Sequence, residues 1–236
     1  MKKNFNIKLF ADGADLQTMF EMAEKDFISG LTTNPTLMRK AGVSNYRNFA
    51  LQALSKIKEK PISFEVFSDD FDEMAAQARE ISKWGNNVYV KIPITNSKGE
   101  PSNEIIRELS NDGIKLNVTA VLTLEQVKNT LSTINPDSFC YISIFAGRIA
   151  DTGVDPVPII EEAISLGSNM PNLEIIWASP RELLNVFQAQ EVGCHIITAT
   201  SDILKKLDLV GKDLARYSLE TVQMFRDDAL LSGYTI

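Results

Sequence analysis

The feature that most constrains this chain is a recurrence of short apolar segments, rich in β-branched and aromatic residues, along almost its whole length. They run from Ile7 to Asp12, Gly30 to Thr33, Pro61 to Phe67, Asn87 to Pro93, Lys115 to Val121, Phe139 to Phe145, Leu173 to Ser179 and Cys194 to Thr198. Runs of this kind read as strands. Between them the apolar residues take helical spacing, as in Asp15 to Lys25, Asn45 to Lys58, Asp70 to Trp84, Leu124 to Ser132, Pro158 to Ser165 and Arg181 to Glu191. Punctuation such as Asn111-Asp112-Gly113 and Val192-Gly193 falls where a helix ends and the next strand begins. Strands alternating with helices imply a parallel sheet covered by helices.

Eight such units in 236 residues suit one closed barrel better than an open doubly wound sheet, for which no Gly-x-Gly-x-x-Gly phosphate loop is present. The fold class expected is therefore α/β, a (β/α)8 TIM barrel, with residues 1–236 as a single domain. A further helical pattern over about 213–231 follows the eighth unit, with Leu214, Tyr217, Leu219, Val222, Phe225 and Ala229 as its apolar stripe. That extra C-terminal helix packs on the outside of the barrel or on a neighbouring molecule.

Charge and cysteine content narrow the partners. A formal charge of −7 argues against a broad basic surface for nucleic acid, while leaving room for a local anion site. The basic start, Met1 to Asn4, leads into an apolar run too brief for a signal-peptide core, and no run reaches the roughly 18 residues of a membrane span. Cys140 and Cys194 both lie in strand-like runs, where buried free thiols are expected rather than a disulfide. The cytoplasm follows as the default location.

Side chains alternate across a strand, so parity sorts the polar residues onto faces. Ser63, Glu65 and Phe67 oppose Phe64 and Val66, and Lys91 opposes Val88, Val90 and Ile92. Asn117 and Thr119 oppose Leu116 and Val118, Ser143 and Phe145 oppose Ile142 and Ile144, and Asp12 opposes Leu9 and Ala11. In an antiparallel sheet such a polar face simply meets water. In a parallel barrel it is the interior, where a lysine and two carboxylates have no ordinary place unless they are paired or functional. All three lie toward the C-terminal ends of their strands, the rim at which barrel enzymes carry their chemistry.

Taken singly, each residue has a plainer reading. A strand lysine can snorkel to the surface, Asp12 can cap a turn, Asn34-Pro35 is a common turn, and Arg181 suits a helix surface. His195 reads as a packed or exposed histidine without ligands, and Asp69, Asp70, Asp72 and Glu73 as the acidic start of a helix. No metal cluster is expected. Ser179-Pro180-Arg181 falls where a strand gives way to a helix, so free backbone N–H groups there would favour an anion.

Several stretches together resemble the transaldolase family, and in particular its small subfamily that includes the fructose-6-phosphate aldolases. They are Phe10-Ala11-Asp12, Gly30-Leu31-Thr32-Thr33-Asn34-Pro35, Val90-Lys91-Ile92-Pro93, Gly113 to Thr119, Ile144 to Ile149 and Ala178-Ser179-Pro180-Arg181, in family order across nearly the whole chain. The resemblance implies a (β/α)8 barrel with Lys91 as the Schiff-base lysine and no cofactor or metal. It implies that Asp12 handles the proton on the hydroxyl beside the cleaved bond, while Glu65 and Thr119 hold the catalytic water. Asn34, Asn117 and Ser143 would bind hydroxyls of the dihydroxyacetone unit; Arg148, Ser179 and Arg181 would bind the phosphate.

The reaction so implied transfers a dihydroxyacetone unit from a ketose phosphate, such as fructose 6-phosphate or sedoheptulose 7-phosphate, to an aldose phosphate such as erythrose 4-phosphate or glyceraldehyde 3-phosphate. The alternatives are an aldolase releasing free dihydroxyacetone and a catalytically silent sugar-phosphate-binding barrel. Phe145 and Glu65 match the transaldolase pattern, whereas aldolase relatives carry Tyr and Gln there. Small relatives also form rings with C-terminal helices between subunits, so a homo-oligomer is expected. Two departures stand out: Gly13 replaces a frequent Thr, and Pro180 sits inside the phosphate motif.

Overall fold

The computed structural model describes residues 5–235, so the basic Met1 to Asn4 lies outside the described part. Eight strands form the sheet: β1 (Lys8–Asp12), β2 (Ile28–Thr32), β3 (Ile62–Glu65), β4 (Val88–Pro93), β5 (Leu116–Val121), β6 (Cys140–Ile144), β7 (Leu173–Trp177) and β8 (Ile196–Thr200). Each pairs in parallel with the next, and β1 pairs with β8 from Lys8↔Ile196 to Asp12↔Thr200. The barrel is closed in sequence order.

The helices are α1 (Leu16–Ala23), α2 (Pro35–Lys40), α3 (Tyr46–Lys56), α4 (Phe71–Ser82), α5 (Asn103–Asn111), α6 (Leu124–Thr133), α7 (Ala146–Asp151), α8 (Val157–Gly167), α9 (Leu184–Glu191), α10 (Ser201–Lys205) and α11 (Leu214–Leu231). Their starts are chemically marked. Asp15, Asn34, Asn45, Asp70, Thr123 and Asp213 each accept a backbone N–H of the first turn of the helix that follows. The acidic run expected to open a helix does so, with Asp70 as cap and Asp72 and Glu73 in the first turn of α4.

By its internal contacts the chain divides after Leu204 into two compact units. The first holds the barrel. The second holds α11, whose boundaries match the expected extension and none of whose residues is buried.

Inside the barrel the strand parity produces layers. Phe10, Tyr89, Tyr141, Ile176, Ala178 and Ile196 form one buried cluster. The Tyr89 and Tyr141 rings stack with centroids 4.0 Å apart, and Phe10 meets Tyr141 edge-on. This aromatic plug sits one pleat below Lys91 and closes the barrel floor beneath it. Phe67 departs from its expected inward place: β3 ends at Glu65, so Phe67 is 67% exposed and packs on Tyr46.

Gly30 on β2 makes room for this plug. A Cβ there would lie 2.5 Å from the Phe10 ring, which is fully buried and held by Tyr141. Gly30→Ala is therefore expected to destabilise the barrel by about 1–3 kcal/mol through overpacking. Denaturant unfolding of the variant checks this; an unchanged midpoint would show that Phe10 yields without cost.

Candidate active site

Lys91 points into the barrel mouth and is 6% exposed. Its Nζ stands 3.0 Å from Glu65 Oε2 and donates to the Thr33 carbonyl at 2.9 Å. Strand register makes the pair possible, since Glu65 sits beside Lys91 on the neighbouring strand and Asn117 beside it on the other side. A buried ammonium is tolerated because both contacts satisfy its charge or its donors.

Asp12, at the end of β1, accepts from Thr32 Oγ1 at 2.8 Å and lies 3.3 Å from Asn34 Nδ2, which donates to its other oxygen. Burial pushes the Asp12 carboxyl above the ordinary carboxylate range, against the opposing effects of Lys91 and the Thr32 hydrogen bond, while Glu65 adds to the upward push. Asn34 reconciles its two sequence readings. Its Oδ1 caps α2 through Leu37 N–H, and this cap fixes the amide whose Nδ2 reaches Asp12.

Asn117 lies between two hydroxyls. Its Nδ2 donates to Ser63 Oγ at 3.0 Å, and its Oδ1 accepts from Ser143 Oγ at 2.7 Å. Two residues further on, Thr119 Oγ1 is buried with no hydrogen-bond partner among the described residues. The ladder between β5 and β6 shifts register here, and Ala120 takes φ +61°. A bulge with a left-handed alanine stores local strain and re-aims the side chains beside it, as such features do at functional sites.

The expected anion-binding residues occupy the next sector of the rim. Gly147, in α7, comes so close to the following loop that a Cβ would sit 1.6 Å from the Ser179 carbonyl oxygen. Ser179 itself has φ +59°. The Arg148 guanidinium lies 5.8 Å from the Phe145 ring centre, and Phe145 packs against the interior cluster. Thus Phe145, Arg148, Ser179 and Arg181 are gathered along one arc.

Two details of this arc differ from expectation. The helix does not begin at Arg181 but at Leu184, and the backbone N–H groups of Arg181 and Glu182 are already held by Asn185 Oδ1. Pro180 is therefore a loop residue, and those two N–H groups are not free for an anion. Arg181 also forms a two-pronged ion pair with Asp151, through Nε at 3.0 Å and through Nη2. Arg181 holds the Asp151 carboxyl below the ordinary carboxylate range. Asp151 and Asn185 have no standing in the sequence motif; their partners are distant in the chain or depend on loop shape.

Thr32, Thr198 and Ser63 also join the mouth without having been singled out as site residues. Parity already puts Ser63 on the face of Glu65, and the same rule applied to β2 would have found Thr32, two positions before Asn34. His195 lies far from the mouth, at the N-terminal end of β8, where its Nδ1 accepts from Ile175 N–H. It borders a separate cleft of about 530 Å³ with Lys8, Tyr89, Tyr141 and Glu174. The Lys8 ammonium there is already paired with Glu174 at 2.7 Å.

The closed parallel barrel thus carries a buried lysine, Lys91, and two carboxylates, Glu65 and Asp12, at the C-terminal ends of its strands. The transaldolase/fructose-6-phosphate aldolase family model matches residues 9–231. The chain is 35% identical to a probable transaldolase of Thermoanaerobacter sp. over 98% of this chain and all of that one. It is 33% identical to a probable transaldolase of Dehalococcoides mccartyi, covering 89% of this chain and 96% of the relative. Among solved structures, one described as "QR15, an Aldolase" matches the fold with a TM-score of 0.55 at 14% identity, covering 86% of this chain and 96% of that one. The chain belongs to the transaldolase/fructose-6-phosphate aldolase family. No helix among the described residues is long and apolar enough to cross a membrane.

Proposed function

We propose that this chain is a transaldolase that moves a dihydroxyacetone unit between sugar phosphates through an imine on Lys91. The observation that carries the proposal is the buried Lys91 amine, set against Glu65 and within the same mouth as Asp12. An amine attacks a ketone only as the neutral base, and Glu65, 3.0 Å away, is placed to take its proton. Attack at C2 and loss of water leave a protonated imine.

Asp12 then accepts the proton of the C4 hydroxyl as the C3–C4 bond breaks. The bonding electrons pass into the imine, giving an enamine on Lys91, and an aldose phosphate leaves. An incoming aldose phosphate is attacked by the enamine carbon, its carbonyl oxygen takes the proton back from Asp12, and water hydrolyses the new imine. Asn34, Asn117 and Ser143 hold the hydroxyls of the three-carbon unit, and Thr119, with its otherwise unpartnered hydroxyl, holds the water. Arg148, Ser179 and Arg181 bind the phosphate, Arg181 presenting the N–H groups that Asp151 does not occupy.

The exposed apolar residues of α11, including Leu214, Tyr217, Leu219, Val222 and Phe225, support self-association through this helix, in a homo-oligomeric ring. Light scattering should therefore give a mass several times that of one chain, falling when Val222 and Phe225 are changed to Ser. A single-chain mass for the unmodified protein would contradict the association.

Phe145 decides between transfer and release. The enamine left after cleavage can wait for an aldehyde or be protonated and lost, and a tyrosine hydroxyl at this position could orient a proton-donating water, which phenylalanine cannot do. The unmodified protein is expected to release little dihydroxyacetone from fructose 6-phosphate unless erythrose 4-phosphate is present, and Phe145→Tyr to increase release at the expense of transfer. Chromatographic product analysis with and without the acceptor tests both; rapid acceptor-independent release by the unmodified protein would instead make it an aldolase.

A further inference from the structure

Asp12 is the end of a short chain of buried hydroxyls contributed by the two strands that flank β1. Thr32 Oγ1 donates to Asp12 Oδ1 at 2.8 Å, and the same oxygen lies 2.6 Å from Thr198 Oγ1. A hydroxyl has a single hydrogen. With that of Thr32 directed at the carboxylate, the second contact requires Thr198 to donate to Thr32. Thr32 is 3% exposed and Thr198 is 6% exposed, and they come from β2 and β8, the two strands that flank β1.

We infer that Thr198 and Thr32 form a two-hydroxyl relay that reverses its direction when Asp12 takes up a proton, so that both states of this carboxyl remain hydrogen-bonded. With Asp12 ionised, the bonds run from Thr198 to Thr32 to Asp12. With Asp12 protonated on Oδ1, its O–H donates to Thr32 Oγ1, and the Thr32 hydrogen turns to Thr198 Oγ1. No proton leaves either threonine; only the two hydroxyl hydrogens rotate. Asn34 Nδ2 still donates to the other Asp12 oxygen in both states.

The inference rests on the proposed acid–base role of Asp12, which takes up a proton on cleavage and returns it on addition. A group that changes charge twice in each turnover gains from partners that serve as acceptor and donor alike. The charged groups that act on Asp12, Lys91 and Glu65, cannot do this by rotating a hydrogen. Thr198 touches no reacting atom in this scheme and is a positioning residue that acts through Thr32.

Thr198→Val and Thr198→Ser test the relay, with Asp12→Asn testing the reading beneath it. Valine removes one hydrogen bond of the relay in each state. With Asp12 ionised it leaves only a Thr32 acceptor lone pair unfilled, whereas with Asp12 protonated it leaves the Thr32 hydrogen facing a methyl group. An orphaned buried donor costs more, so the protonated state is penalised more. The expected result for Thr198→Val is roughly a tenfold fall in kcat for transfer, little change in KM, and an acid limb of the kcat against pH profile that moves to lower pH. Thr198→Ser should recover both kcat and the position of the limb. An unmoved acid limb in Thr198→Val, or a serine variant as impaired as the valine variant, would reduce Thr198 to a packing role and overturn the relay. Full transfer activity in Asp12→Asn would overturn the acid–base role and the relay with it.

Discussion

The structure depends on keeping one ammonium inside a barrel. Lys91 stands on the fourth strand with an aromatic plug beneath it, and its Nζ is held by Glu65 and the Thr33 carbonyl. Neither contact is local in sequence. Glu65 is brought alongside by the register between β3 and β4, and Thr33 by the turn that leaves β2 toward Asn34 and α2. An uncompensated ammonium at this depth would cost several kcal/mol, so the closed barrel and the pair require each other.

The same parity that points Lys91 inward sets the layers above and below it. Tyr89 and Tyr141, two positions earlier on their strands than Lys91 and Ser143, fill the floor. Above them Ser63 of β3, Asn117 of β5 and Ser143 of β6 form a continuous hydrogen-bonded bridge that passes over β4. The polar mouth is thus tied together from β3 to β6, and on the other side Asp12 is held by Thr32 and Asn34, with Thr198 in turn on Thr32. Among the described residues, Ala120 and Ser179 are the non-glycine positions with left-handed backbone, and each adjoins a residue of the mouth or belongs to it.

Much of this could be read from the chain itself. Eight strands were legible because each is a compact apolar run with turn residues at its ends, and their inward residues followed from a period of two. The starts of the longer helices followed from the sequence pattern, as at the acidic run around Asp70 and at Asp213, and the structure shows both residues as caps. Six-residue helices such as α2 and α7 span less than two turns and have no periodicity to detect. The resemblance brought in the roles of Lys91, Asp12 and Arg181, which no spacing rule supplies. What stayed hidden was the set of partners that only the fold creates: Asp151 on Arg181, thirty residues away, Asn185 on the Arg181 backbone, and Thr198 on Thr32 across the seam between β1 and β8. The displaced start of α9 has a local cause, because Asn185 takes up the N–H groups that an earlier helix start would have left open.

The most direct test of the account is covalent. Borohydride added to the protein together with fructose 6-phosphate should reduce the imine to a stable secondary amine, and peptide mass spectrometry should place that adduct on Lys91, with none formed by Lys91→Ala. Absence of any adduct, or an adduct that persists in Lys91→Ala, would contradict the claim that this buried amine carries the reaction.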